Sequence, residues 1–194
     1  MGKKEIGAIE ALGKNVGKFA GKALKAKIMA GSEKITAKTS PEELAIWLKG
    51  AMEKLDKLVP KAKRVQIREH CGYDCARVNK GTLERGIAKR KKFPSLDEFL
   101  AAEQKKPLAG TRLEREGNVL FWYFTPHSFS RPMRCFCGLM KGLPAGVTIS
   151  QTYCLCSRGF VQKYWEGIVG RPLQVELLES CLRGAQECKF TIHL

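Results

Sequence analysis

At 194 residues the chain is long enough to bury a core without disulfides, and its 44% apolar and 28% charged residues are ordinary for a globular protein. A formal net charge of +16 and a pI near 9.7 favour contact with phosphates, anionic lipid or acidic partners without naming one, and are equally met by a basic surface with no specific polyanion. No run of about 18 apolar residues and no apolar secretory block occurs, so a bilayer span and export are not expected, and the expected compartment is the cytoplasm, where thiols stay reduced.

Residues 1–38 read as a basic amphipathic N-terminal arm, and 39–194 as a single α+β cysteine-rich domain. In the arm, Ile9, Leu12, Val16, Phe19 and Ala23 recur at helical spacing among Lys14, Lys18, Lys22 and Lys25. Gly7, Gly13, Gly17 and Gly21 each weaken that helix by about 1 kcal/mol against Ala, while the Gly13–Gly17–Gly21 spacing permits close helix approach. Such an arm can lie on an anionic membrane or contact nucleic acid; its alternative is a frayed or loosely docked helix.

Ser40-Pro41-Glu42-Glu43 is a helix start, with a capping hydroxyl, a first-turn proline and two acids at the positive end of the dipole. Leu44, Trp47, Leu48, Ala51, Leu55 and Leu58 then form one apolar stripe, and Pro60 ends the helix. A second helix is predicted from about Lys61 to Asn79, with Gly81 as its stop. A third begins at Ser95, where Ser95-Leu96-Asp97-Glu98 reads as a capping box. Beyond Pro107 the pattern turns extended: Arg112–Glu116 and Val119–Thr125 are predicted strands joined at Gly117-Asn118. A loop from Pro126 to Arg134 follows, then a helix over Ser157–Val169, then strands at Leu173–Leu178 and Lys189–Leu194 that pair through a turn at Gly184. The expected fold is α+β, with N-terminal helices packed on an antiparallel sheet formed mainly by the C-terminal half.

Eight cysteines fall as Cys71/Cys75, Cys135/Cys137, Cys154/Cys156 and Cys181/Cys188. Four residues apart, Cys71 and Cys75 share one face of a helix. Two apart, Cys135/Cys137 and Cys154/Cys156 share a face of a strand, or turn inward together from a loop. A final hairpin would bring Cys181 and Cys188 together. Thiolates suit zinc or an iron–sulfur cluster, although the two C-x-x-C pairs of zinc ribbons are absent. The competing readings are small apolar filler in the core and disulfides.

The tail reads Gly159-Phe160, then Gly170-Arg171-Pro172-Leu173-Gln174-Val175-Glu176, then Glu179-Ser180-Cys181-Leu182-Arg183-Gly184-Ala185-Gln186-Glu187-Cys188-Lys189-Phe190. Over about residues 150–194 this resembles the 4-vinyl reductase domain family. The resemblance implies helices against an antiparallel sheet, a small and often apolar ligand, and a zinc ion near the ligand pocket. It implies Cys156, Glu179, Cys181 and Cys188 as the zinc ligands, with Glu176 as the alternative acid and Cys135, Cys137 and Cys154 as further candidates. The paired cysteines before the tail are similar, more weakly, to cysteine-rich prokaryotic proteins near aminothiazoline-carboxylate hydrolases, which implies thiol- or metal-assisted hydrolysis.

For such an enzyme the catalytic candidates are Cys71, Cys75 and His127. Arg77 beside Cys75 would favour its thiolate, and His127 could carry a proton or bind a metal. In the consecutive aromatics Phe121, Trp122, Tyr123 and Phe124, alternate rings face opposite ways. Trp122 and Phe124, with Phe160 and Tyr164 from the helix, are the expected ligand wall, unless they simply fill the core. The leading expectation is a small-molecule-binding domain, sensory in character, with a zinc or iron–sulfur site. A hydrolase and a basic docking protein are the alternatives, and a homodimer is compatible with each.

Overall fold

The computed structural model describes residues 3–130 and 133–194. Residues 1 and 2 of the predicted arm, and 131 and 132 of the predicted 126–134 loop, lie outside them.

Helix α1 (Lys3–Ala20) turns at Gly21, whose φ of +90° suits a residue without Cβ, into α2 (Lys22–Ile28). The Gly13–Gly17 spacing serves this hairpin: a Cβ on Gly17 would lie 3.2 Å from the Lys25 side chain, and one on Gly13 would lie 3.4 Å from Met29. Ile9, Leu12, Val16 and Ile28 are buried in a core shared with the next two helices. Apart from Ala23, which is exposed, the arm's apolar stripe is therefore spent inside the protein, and the exposed residues of α1 and α2 include Lys14, Lys22, Lys25 and Lys27.

Helix α3 (Pro41–Leu58) starts as predicted, with both halves of a capping box in place: Glu43 N donates to Ser40 Oγ (3.2 Å) and Ser40 N donates to Glu43 Oε2 (2.8 Å). Its apolar stripe faces the first core. Helix α4 (Lys61–Val78) does not stop at Gly81. Asn79 interrupts it, and α5 (Lys80–Arg90) resumes at once with Gly81 inside it. Helix α6 (Leu96–Lys105) is capped by Ser95, which accepts from Glu98 N.

Strands β1 (Thr111–Glu116) and β2 (Val119–Phe124) form the expected hairpin, with Gly117 at φ +56°. Helix α7 (Gln151–Val169) begins six residues earlier than predicted, where Ser150 Oγ accepts from Thr152 N. Strands β3 (Gln174–Glu179) and β4 (Cys188–His193) pair with each other, and β4 also pairs with β2, giving the antiparallel order β1-β2-β4-β3. The sheet's inner face, with Leu113, Trp122 and Phe190 in register, packs on Val161, Tyr164, Trp165 and Ile168 of α7. The fold is α+β. Among the described residues no helix is long and apolar enough to cross a membrane.

Helices α4 and α7 meet with almost no side chain between them. A Cβ on Gly72 would sit 2.1 Å from the Cys156 carbonyl oxygen, and one on Gly159 would sit 2.5 Å from that of Glu69. The Arg158–Glu69 ion pair and a 3.1 Å Tyr73–Gln162 hydrogen bond flank this crossing. The thiols gather at the seam it creates between the two cores.

Candidate functional site

All eight cysteines are free thiols. The start of α7 at Gln151 decides how they divide, because it puts Cys154 and Cys156 on helix rather than on a strand or loop. Residues two apart on a helix diverge by about 200°. Cys154 therefore turns toward the sheet, where its Sγ lies 3.0 Å from Ser180 Oγ. Cys156 turns toward α4 and interacts electrostatically with Arg68, Cys71 and Cys75.

On the sheet side, Cys188 opens β4 and Cys181 sits in the 3-10 turn Cys181–Arg183. Their sulfurs are 3.5 Å apart, as the hairpin reading expects, and Cys181 N also donates to Cys188 Sγ (3.4 Å). Cys135 approaches from the loop before α7 and interacts with Cys154, Cys181 and Cys188. Cys135, Cys137, Cys154 and Cys188, with Tyr153 and Phe124, line a cavity of about 30 Å³. That is room for a water molecule or an ion and far below the size of an organic-ligand pocket.

On the α4 side, Arg68, Cys71 and Cys75 share one helical face, and Cys137 Sγ lies 3.1 Å from the Tyr153 hydroxyl. Asn15 of α1 donates to Cys71 Sγ (3.6 Å) and to Asp74 Oδ2 (3.1 Å). Asn79 Nδ2 lies 3.5 Å from Cys75 Sγ. Arg68 is 4% exposed. Its Nε and Nη2 donate to the Tyr153 carbonyl (3.3 and 2.7 Å), and its guanidinium lies over the Tyr153 ring.

The remaining predicted residues fall outside these groups. Glu179 is exposed on β3 opposite Lys189, and Glu176 is exposed as well. His127 faces Glu187 at 3.7 Å. Arg77 pairs with Asp74 (2.7 Å) rather than with a thiol. Trp122 stacks on Tyr164 at 5.0 Å and meets Trp165 edge-on, inside the second core. Phe160 packs against the same core, so of the four expected wall residues only Phe124 reaches the cavity. A second hollow, of about 400 Å³, opens between α1, α2 and the turn after them, lined by Ile9, Met29, Ile35, Glu10, Glu33 and Lys25. Arg68, Asn15, Tyr153 and the glycine pair were not predicted to act here. The one local sign was that Arg68 falls at i−3 and i−7 from Cys71 and Cys75.

Burial pushes the thiols toward their neutral form: Cys75 to about 11, Cys154 to about 12, and Cys71, Cys135 and Cys137 upward as well. An activated nucleophile needs the opposite shift. The hydrogen bond from Cys188 Sγ to Cys181 Sγ holds Cys181 down and Cys188 up. Among the described residues no three His, Cys, Asp or Glu side chains stand ready to grip an ion.

The raised values set a pH dependence. In the unfolded chain these thiols ionise near 9.0, whereas Cys154 in the folded, metal-free protein keeps its proton to about 12. Above pH 9 the folded state binds more protons, so stability falls with pH, by about 1.4 kcal/mol per pH unit for a buried thiol such as Cys154 and by less for the exposed Cys75. Cys181, shifted the other way, offsets only part of this. The urea midpoint of the reduced, metal-free protein should be level below pH 9 and decline from 9 to 12. A midpoint that held level to pH 11 would show that the thiols are not buried as neutral groups.

Residues 5–194 match the sequence profile of a family of unknown function, DUF6144. No curated protein and no solved structure matches the chain.

Proposed function

The chain belongs to the DUF6144 family, and we propose that it is a metal-binding domain in which Cys135, Cys154, Cys181 and Cys188 hold a zinc ion. One observation carries this reading. Cys135, Cys154 and Cys188, from three stretches of chain, line one ion-sized cavity together with Cys137, and Cys181 adjoins it with its sulfur 3.5 Å from that of Cys188. Thiolates about 2.3 Å from a tetrahedral zinc lie about 3.8 Å from one another, so that pair is already near its bound spacing. The donor set differs from the one the 4-vinyl reductase resemblance implies, because Cys156 faces α4 and Glu179 faces solvent. Cys154 and Cys135 take their places. Loading requires the thiols to lose their protons and turn inward, so affinity falls as pH falls. A site closed by four protein sulfurs is structural, and bound zinc would tie the loop, α7 and the β4 end together.

Native mass spectrometry with elemental analysis on the reduced, full-length protein tests this. One zinc should be retained by Cys71→Ser/Cys75→Ser and lost by Cys181→Ser/Cys188→Ser. Wild-type protein that takes up no zinc on reconstitution, or that keeps it after the second pair is replaced, defeats the reading. The same spectra address a small-molecule role, which the 400 Å³ hollow favours by its size. A co-purified organic mass lost on Gly13→Trp substitution would place it there.

A further inference from the structure

Arg68 raises a question that the zinc site leaves open. It is a buried cation, and among the described residues no carboxylate pairs with it. The groups that face it most strongly are Cys156, Cys71, Tyr153 and Cys137, with no Asp or Glu among them. An isolated buried ion costs several kcal/mol unless an opposite charge faces it. A carbonyl and an aromatic face recover only part of that cost.

Four thiols from α4, α7 and the loop before α7 lie near Arg68, and their side chains would have to turn inward to meet at one ion. Cys71 and Cys75 lie one turn apart on the face of α4 that carries Arg68. The Gly72–Gly159 crossing brings Cys156 of α7 against that face, and Cys137 reaches in from its loop beside Tyr153. Two side-chain amides, Asn15 and Asn79, point at the Cys71 and Cys75 sulfurs. Donors of this kind orient thiolates and offset their charge at metal centres. Cys75 is exposed, which gives an ion a way in.

We infer that Cys71, Cys75, Cys137 and Cys156 form a second metal site, which takes a soft divalent cation as a tetrathiolate whose negative charge the buried Arg68 guanidinium neutralises. Four thiolates around a divalent ion carry a net charge of about −2, which supplies the anion that Arg68 lacks. Binding displaces four thiol protons to solvent and involves no redox step. None of the four sulfurs is a ligand of the zinc site proposed above, and Cys137, which also lines that cavity, is where the two sites adjoin.

Cobalt(II) titration of the reduced, metal-free full chain reads both sites through the sulfur-to-cobalt charge-transfer band, with far-UV circular dichroism as the folding control. Wild type should bind two equivalents. Cys71→Ser/Cys75→Ser should bind one, and so should Cys181→Ser/Cys188→Ser. Cys75→Ser alone, at an exposed position, should fold normally and weaken one equivalent at least tenfold. Full binding by Cys71→Ser/Cys75→Ser overturns the second site, as does a wild type that stops at one equivalent lost on replacing Cys181 and Cys188. So does a metal-free protein that already shows thiolate absorbance at neutral pH which Cys71→Ser removes, because a plain thiolate would then be the counter-ion. Loss of one equivalent in the Cys71 variant alone sustains this inference even where the zinc site fails.

Discussion

Gly72→Ala should destabilise the protein by about 3 kcal/mol and lower its melting temperature by roughly 6–12 °C. The added methyl would meet the Cys156 carbonyl oxygen at 2.1 Å, with the Phe160 amide nitrogen and Gly159 Cα within 3 Å. All three are backbone atoms of a buried helix, so no rotamer change relieves the contact. The helices must separate, and the packing between them is lost along the crossing. Gly159→Ala should act alike, because its methyl would meet the Glu69 carbonyl. Gly50 is the control: it lies inside α3 with nothing within 4 Å of an added Cβ, so Gly50→Ala should stabilise by about 0.5–1 kcal/mol. Urea denaturation of the three variants measures this. A Gly72→Ala protein within 1 kcal/mol of wild type would mean that the α4–α7 contact is looser than described. Because Cys71 adjoins Gly72, and Cys156 supplies the opposing carbonyl, spreading the crossing should also weaken metal uptake by Cys71 and Cys156 while leaving the Cys181–Cys188 end intact.

Local signals were legible wherever the deciding interactions lie within a few residues. The Ser40 and Ser95 caps, the Gly117-Asn118 hairpin and the pairing of Cys181 with Cys188 all follow from neighbours in sequence. The α+β class follows from the same signals in series. The start of α7 was harder to read. Thr152 and Tyr153 are indifferent helix formers, and the paired cysteines suggested an extended segment; tertiary packing and the Ser150 cap override both. That six-residue difference changes the chemistry, because on a helix Cys154 and Cys156 serve opposite sides. The Gly72–Gly159 contact joins residues far apart in the chain, and neither glycine signals it alone. Arg68 is one of 35 basic residues, and its spacing from Cys71 and Cys75 is a local sign of position that says nothing of its burial. The apolar stripe of α1 was visible, but whether it faced a membrane or a core depended on α3 and α4.

The second large effect separates what Arg68 does with metal from what it does without. In the reduced, metal-free protein, Arg68→Met should be neutral or stabilising by about 1–4 kcal/mol, since a flexible apolar side chain replaces a buried cation that has no anion. The Tyr153 carbonyl loses two donors but sits in the first turn of α7, where a helical N–H can still serve it. Arg68→Ala should instead destabilise by about 2–5 kcal/mol, because it leaves a cavity at the helix crossing. With metal present the order reverses. Without the guanidinium a tetrathiolate of charge about −2 is left buried and uncompensated, so Arg68→Met should weaken uptake by Cys71, Cys75, Cys137 and Cys156 by at least tenfold, about 1.4 kcal/mol. Arg68→Lys keeps the charge but loses the fork that reaches the carbonyl, and should fall between. Thermal melts with and without cobalt or zinc give each variant a metal-linked increment. The increment should shrink for Arg68→Met and survive in Arg68→Lys. An Arg68→Met protein that is 3 kcal/mol less stable without metal, yet takes up both equivalents undiminished, would reduce Arg68 to a hydrogen-bond donor that holds α7 against α4.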